Sequence, residues 1–413
     1  MAEQESKLFT PYKLGPIELR NRTVRSAAFE GMALNNSPSA QLKDYHVSVA
    51  RGGVGMTTVA YAAVSQSGLS FPRQLWMRPA IAEGLRDLTD AIHAEGAKVS
   101  VQLGHCGNMS HKKICGTLPV GASGGFNLYS PTFVHKLTDP EIRQIVTDFG
   151  TAVRLAIDTG FDCVEIHAGH GYLISQFLSP YTNHRRDEYG GSLDNRMRFM
   201  RMVMEEVMRA VDGQIAVVVK TNTRDGFKGG LELDDCITVA RELEQLGPDA
   251  LVLSGGFVSK APMYVMRGAM PITTLTHYMD TWWLKYSVKM GGRFVIPTVP
   301  FRELYFLEDS LRFREALKMP LIYVGGCVSR SGIDKVLNSG FELVQMARAL
   351  INEPDFVNRM RDGEERCGCD HTNYCIGRMY TIDMRCHKHV PDLPKAIVRE
   401  LENNRRKEER HAR

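Results

Sequence analysis

In the stretch Asp162-Cys-Val-Glu-Ile-His167-Ala-Gly-His170-Gly-Tyr172, a short apolar run ends at one histidine, and a second histidine and a tyrosine follow at once. Two neutral imidazoles can hold an oxygen that becomes negative, and a phenol can deliver a proton. A His-x-x-His metal pair, or histidines satisfied within a core, are the competing readings, and one motif alone does not decide among them. Chemistry of this kind needs rigid support. A strand that delivers polar side chains from its carboxyl end into a loop is where α/β barrels keep their active sites.

The elements that must supply that support recur along the chain. Strands are expected at residues 23–28, 55–62, 98–103, 163–167, 215–220, 250–254, 321–324 and 343–346, all apolar or β-branched runs. Helices are expected at 39–51, 79–95, 138–159, 192–211, 233–246 and about 333–338. Thr138 with Glu141 reads as a capping box, and Gly160 as a stop. Near-continuous apolar strands between helices imply a buried parallel sheet. Eight such units predict an α/β fold, a closed (β/α)8 TIM barrel. An open doubly wound sheet is the alternative, but no strand leads into a G-x-G-x-x-G turn. Residues 260–319, with Trp282 and Trp283, are expected as a long insertion after strand six, and 108–137 as a long functional loop. The barrel is assigned to residues 1–362, and 363–413 to a Cys-containing C-terminal segment and charged tail.

Further polar residues fall at strand ends. Small residues Ser26, Ala27 and Ala28 would let a flat ligand approach the backbone, and the Gln102 amide can read a heterocycle's edge. Lys220, at the end of strand five, would be costly buried alone and should meet an anion or a carbonyl. Gly325-Gly326 after strand seven and Arg348 after strand eight suggest a phosphate site, which barrels commonly build there.

Composition narrows the class. The 413 residues are 43% hydrophobic and 24% charged, ordinary for a globular enzyme. A net charge of +4 is too slight for a nucleic-acid footprint. The tail 396–413 carries six basic and four acidic residues and reads as a solvated helix or a disordered end. The charged start is no secretory signal, and no apolar run is long enough to span a bilayer, so no membrane partner is expected. Nine cysteines, an odd number, suggest a reducing cytoplasm.

Several motifs recur together in one known pattern: Asn21-Arg-Thr-Val-Arg-Ser-Ala27, Gln102-Leu-Gly-His-Cys-Gly107, Glu165-Ile-His-Ala-Gly-His-Gly-Tyr172, Gln176-Phe-Leu-Ser-Pro180, Asn183-His-Arg185, Asp187-Glu-Tyr-Gly-Gly191 and Asn195-Arg196. Through these the chain resembles the Old Yellow Enzyme family of FMN-dependent NAD(P)H oxidoreductases, nearest the NADH:flavin oxidoreductase and 2,4-dienoyl-CoA reductase branch, over roughly residues 8–359. The resemblance implies FMN contacts from Ser26, Ala27, Ala28, Gln102, Lys220, Gly325, Gly326, Ala347 and Arg348. It implies that His167 and His170 bond a substrate carbonyl, and that Tyr172 protonates the carbon opposite the hydride. Phe29 stands where many members place Thr or Cys, Lys220 where Arg is commoner, and Ala347 where Gly is common.

Relatives with an iron–sulfur cluster carry four cysteines at this end of the barrel. Here Cys369, Cys375 and Cys386 keep roughly three of those places, Thr372 takes the second, and Cys367 is extra. Free thiols are expected in preference to a [4Fe–4S] cluster, with zinc on three cysteines and His371 or His387 a weaker alternative. Such relatives continue into flavodoxin-like and dinucleotide-binding domains. This chain ends sooner, so NADH or NADPH is expected to use the same mouth as the substrate, with ping-pong kinetics. The expected function is an ene-reductase acting on an α,β-unsaturated carbonyl compound. The other readings are a general NAD(P)H:flavin/acceptor oxidoreductase, an iron–sulfur dienoyl reductase-like enzyme and, outside the class, a metal-dependent barrel hydrolase or aldolase. A small-molecule partner and homo-oligomer formation are expected; the substrate's identity is left open.

Overall fold

Near-continuous apolar strands can satisfy their backbone only against one another, and they close into a barrel. The computed structural model describes residues 6–127, 131–279, 281–379 and 382–411. The barrel strands are β1 (Thr23–Arg25), β2 (Met56–Ala63), β3 (Lys98–Gly104), β4 (Cys163–His167), β5 (Ala216–Asn222), β6 (Ala250–Ser254), β7 (Leu321–Val324) and β8 (Leu343–Met346). They pair in parallel in chain order, and β8 closes on β1. Helices α1 (Ala40–Arg51), α2 (Ala82–His93), α3 (Asp139–Asp158), α4 (Leu193–Val211), α5 (Leu233–Leu246), α6 (Leu307–Ala316), α7 (Arg330–Asn338) and α8 (Phe356–Arg361) form the outer ring. The expected (β/α)8 barrel is the fold.

The two-residue period of the strands sorts the barrel interior into layers. Val24, Met56, Cys163, Val218, Val252, Ile322 and Leu343 form an apolar floor. A hairpin of Tyr12–Leu14 and Ile17–Leu19 plugs the bottom, burying Leu14 and Leu19. Gly15 turns that hairpin at φ +54°, where a Cβ would lie 2.5 Å from Asp249. Two residues further up the same inward columns stand Glu165, Lys220 and Gln345, and His167 is the next step up from Glu165. The apolar floor therefore carries a polar layer directly above it.

Several boundaries differ from expectation, each for a physical reason. β1 ends at Arg25 because Arg25 turns back on the chain: it is fully buried, and its Nη2 donates to Ala28 O at 3.0 Å. Nη1 pairs with Glu30 at 2.6 Å, and Glu30 also accepts from Ala60 N. Ser26, Ala27 and Ala28 thus lie in a loop pinned beneath the barrel mouth. The loop expected at 108–137 contains a small sheet of Val120–Gly121, Gly125–Asn127 and Thr132–Lys136, with residues 128–130 outside the described residues. The insertion after β6 holds helices Pro262–Met266, Ile272–His277 and Trp282–Val295, and it ends at α6, the barrel's own sixth helix. The capping box is present, with Glu141 accepting from Thr138 N at 2.7 Å.

The charged tail is a docked helix and not a solvated end. Lys395–His411 buries Ile397 and Leu401 against Tyr374. Glu400 accepts N–H bonds from Thr273 at 2.6 Å and Thr274 at 2.8 Å, and Glu408 accepts from Phe301 N at 2.9 Å.

Removing one partner of a buried ion pair strands the other. Glu30→Leu is expected to lower stability by about 3–5 kcal/mol, read as an earlier midpoint in urea. The double variant Arg25→Met/Glu30→Leu should recover most of the loss. Equal midpoints for the wild type and Glu30→Leu would show that the pair does not hold the first loop.

Candidate active site

The polar layer is centred on one carboxylate. Glu165 receives Gln102 Nε2 from β3 at 2.7 Å, Gln345 Nε2 from β8 at 2.7 Å and Lys220 Nζ from β5 at 2.9 Å. Lys220 also reaches Ser26 Oγ at 3.3 Å, and Ser26 donates to Gln345 Oε1 at 2.9 Å. The circuit Ser26–Gln345–Glu165–Lys220 is closed and buried. Lys220 has the anionic partner that its burial requires. Burial lowers its pKa, and Glu165 opposes that shift.

Above this layer the chain after β4 turns sharply. His170 and Gly171 are both left-handed, at φ +59° and +81°. The turn is held at both ends: His170 N donates to Asn222 Oδ1 at 3.0 Å, and its carbonyl accepts from Val258 N at 3.0 Å. A Cβ at Gly171 would lie 2.5 Å from the Phe257 ring, so glycine is required there. A non-glycine residue held at positive φ is the kind of stored strain found at functional sites. The consequence is a compact trio. The His167 and His170 rings are 5.1 Å apart, His167 and Tyr172 are 4.6 Å apart, and Tyr61 lies edge-on to Tyr172 at 5.1 Å.

Both imidazoles are held neutral. Burial drives His167 well below the ordinary imidazole value, and the neighbouring His170 and Lys220 push the same way. His170 is lowered to about 3 by burial and by Lys220. Its Nε2 meets Ser254 Oγ at 2.7 Å, which sets the role left to the other ring nitrogen. His167 Nδ1 is buried with no hydrogen-bond partner among the described residues. An orphaned buried nitrogen at a barrel mouth is a place for a ligand.

The remaining expected residues fall in two places. Ala27 packs near Tyr61, and Phe29 stacks on Phe71 at 4.9 Å. Gly325 and Gly326 adopt φ +134° and +79°, and a Cβ on either would strike Phe306 or Leu304. Ala347 precedes the short helix Arg348–Asn352. Arg348 is half-buried, donates to Asn373 Oδ1 at 2.6 Å and lies over the Phe301 ring at 5.5 Å. The trio and the Glu165 circuit share the mouth, whereas Arg348 is shared with the C-terminal segment.

Two members of the circuit, Glu165 and Gln345, were missed as functional candidates. The available signal was a charged or amide side chain on the inward column of an otherwise apolar strand.

The late cysteines divide. Cys369, Cys375 and Cys386 line one small cavity with Arg348 and Thr372, while Cys367 is buried in the main core and bonds Val328 O through its N–H. Burial raises the Cys375 thiol to about 12 and Cys386 to about 11, so both are protonated at neutral pH. Among the described residues, no group of three or more His, Cys, Asp or Glu side chains is arranged to hold a metal ion.

A family model described as the NADH:flavin oxidoreductase / NADH oxidase family matches residues 7–294. The chain belongs to that family. A 4,4'-dithiodibutanoate disulfide reductase of Rhodococcus erythropolis is 40% identical over 376 residues, covering 91% of this chain and 93% of that protein. An NADPH dehydrogenase of Halalkalibacterium halodurans is 34% identical over 270 residues, covering 64% of this chain and 77% of that protein. An Old Yellow Enzyme homologue from Zymomonas mobilis superposes with a TM-score of 0.72 at 24% identity, covering 94% of this chain and 99% of that one, a likeness of fold. As a member of the NADH:flavin oxidoreductase family, of Old Yellow Enzyme type, the chain is an FMN-dependent NAD(P)H oxidoreductase.

The residues present fit FMN. A flavin offers carbonyl and ring-nitrogen acceptors, and the mouth supplies Gln102 and a lysine with three donors, two of them directed to Glu165 and Ser26. Gly325, Gly326 and Arg348 carry the backbone freedom and the cation that a phosphate needs.

Neutral burial of histidine makes stability depend on pH. His105, buried, is lowered to about 3 and bonds Ser67 Oγ at 3.0 Å. The unfolded chain takes up a proton on each such histidine below about 6.5, and the fold does so only near 3. Stability should therefore be highest above pH 6.5 and decline as pH falls toward 3, by up to roughly 1.4 kcal/mol per pH unit for each histidine. Urea unfolding at pH 7.5, 6 and 5 measures this, and His105→Asn should flatten the slope. A midpoint unchanged from pH 7.5 to 5 would mean that the imidazoles are charged in the fold.

Proposed function

We propose that the enzyme reduces the C=C bond of an α,β-unsaturated carbonyl compound at the expense of NAD(P)H. The observation that carries this reading is a pair of neutral imidazoles 5.1 Å apart with one phenol 4.6 Å from His167, directly above the Glu165–Lys220 layer. FMN, when bound, would supply the hydride chemistry that links NAD(P)H to the second substrate. Gln102, Lys220 and Ser26 would hold its ring system, and Gly325, Gly326 and Arg348 its phosphate.

The chain's own residues do the rest. His167 and His170 donate hydrogen bonds to the carbonyl oxygen and stabilise the charge that develops there as the β-carbon gains hydride. A neutral imidazole suits this task, because it binds a forming enolate without protonating it outright. Tyr172, packed on Tyr61 beside His167, delivers a proton to the α-carbon. Ser254 and Asn222 are positioning residues: one takes a ring nitrogen of His170, and the other holds its backbone. The balance is one hydride and one proton added across the double bond.

A second reading has its own support. The Rhodococcus relative, similar over nearly its whole length, is a reductase of an aliphatic disulfide that carries two carboxylates. In that case hydride would cleave the S–S bond, and Tyr172 or an imidazole N–H would protonate the departing thiolate. The nine free cysteines are in keeping with a reducing cytoplasm as the place of action.

Tyr172→Phe should slow oxidation of the reduced enzyme by an enone about 10²–10⁴-fold, while reduction by NADPH stays within about twofold. Anaerobic stopped-flow, with the two half-reactions followed separately, makes the measurement. Unchanged enone turnover in Tyr172→Phe would refute the proton-donor role. Rapid cleavage of 4,4'-dithiodibutanoate with no enone in a broad panel reduced would replace the first reading with the second.

A further inference from the structure

The helix Trp282–Val295 in the insertion after β6 presents an apolar face to solvent. Trp282 is 79% exposed, Tyr286 64% and Met290 62%, at four-residue spacing, with Trp283 beside them at 48%. The opposite side is committed to the protein: a Cβ at Gly292 would lie 2.9 Å from Ile272. A contiguous exposed set of two tryptophans, a tyrosine and a methionine marks an interaction site.

Its charge says what it meets. The helix sequence carries Lys285, Lys289 and Arg293 and no acidic residue. On a helical wheel of 100° per residue, Lys285 and Lys289 border the Trp282–Tyr286 stripe on one side. The groove between this helix and Lys395–His411 continues the cationic edge with Arg406, Lys407 and Arg410. The carboxylate in that groove, Glu400, is occupied by the N–H groups of Thr273 and Thr274.

We propose that this face docks onto an anionic phospholipid surface. The helix lies in the interface plane, with the aromatic stripe at the headgroup level and the lysines toward the lipid phosphates. Trp and Tyr combine an apolar body with one polar atom and favour that depth, and basic residues add attraction to anionic lipid. A second copy of the chain fits less well. A two-fold interface centred on this stripe would bring the same lysines together from both sides, with no acid on the helix to answer them. The docking is peripheral: among the described residues, no helix is long and apolar enough to cross a membrane.

The test is co-sedimentation of the holoenzyme with phosphatidylglycerol/phosphatidylcholine vesicles and with pure phosphatidylcholine vesicles. At least about tenfold more binding to the anionic vesicles is expected, together with a blue shift in tryptophan emission and loss of binding at high salt. The variant W282S/Y286S/M290S should lose binding but keep NADPH oxidation with a soluble dye. K285Q/K289Q should lose the anionic preference. Binding of the wild type to neither vesicle, or equal binding by all three proteins, would overturn the proposal. So would a wild-type dimer that W282S/Y286S/M290S converts to monomer, which would assign the face to a second copy.

Discussion

The structure depends on placing one ammonium group inside a barrel. A buried lysine without an anion is prohibitively costly, and Lys220 is answered by Glu165 one strand away. That pairing constrains register. β5 aligns Lys220 with His167, so Glu165 occupies the same inward column one step below. A one-residue slip of either strand would send its charged side chain into the helical layer. The two glutamines on Glu165 come from β3 and β8, and Ser26 closes the circuit from the loop after β1. Electrostatics carries the constraint upward. The positive charge of Lys220 helps to keep His167 and His170 neutral, so the layer that holds the barrel together also sets the protonation of the groups above it.

Where a local signal existed, it was read correctly in the sequence. β4, β6, β7 and β8 have the expected bounds as short runs dominated by apolar residues, and α5 has them as an amphipathic run that Gly247 closes. The His167–His170–Tyr172 cluster was visible because its members are adjacent in sequence. What stayed hidden depends on partners far apart in the chain. Glu165 is one residue of a recognised motif, yet its function lies in Gln102, Lys220 and Gln345, contributed by three other strands. Ser254, the partner of His170, looked like the last residue of a strand and nothing more. The small sheet within 108–137 rests on weak two- to five-residue strands, which carry little periodicity to read.

The tail shows the same limit in a different form. Its composition, with six basic and four acidic residues, describes a solvated segment, but composition averages over faces. Ile397 and Leu401, four apart, make one narrow apolar stripe, and Glu400 beside them caps the first-turn N–H groups of the Ile272–His277 helix. Two apolar residues and one well-placed carboxylate are enough to dock a helix whose average looks polar.

That docking gives the C-terminal segment a positioning function. The Cys375 and Cys386 thiols are half-buried and protonated, and Thr372 bonds Asp370 where a second cysteine would stand. Asp370 is lowered to about 2, with His387 at 2.8 Å, so it remains a carboxylate that ties the segment together. Asn373, left-handed at φ +63°, bonds Arg267 O and Ala269 O in the insertion and accepts from Arg348. Phe301, whose N–H is held by Glu408, lies under the Arg348 guanidinium at 5.5 Å and stacks on the His371 ring at 3.5 Å. Tail, insertion and the cation after β8 therefore form one connected unit. An asparagine, two carboxylates and an aromatic stack fix these loops by hydrogen bonds and packing. The geometry of Arg348 is thus set from outside the barrel, whereas Lys220 and Gln102 are set from within it.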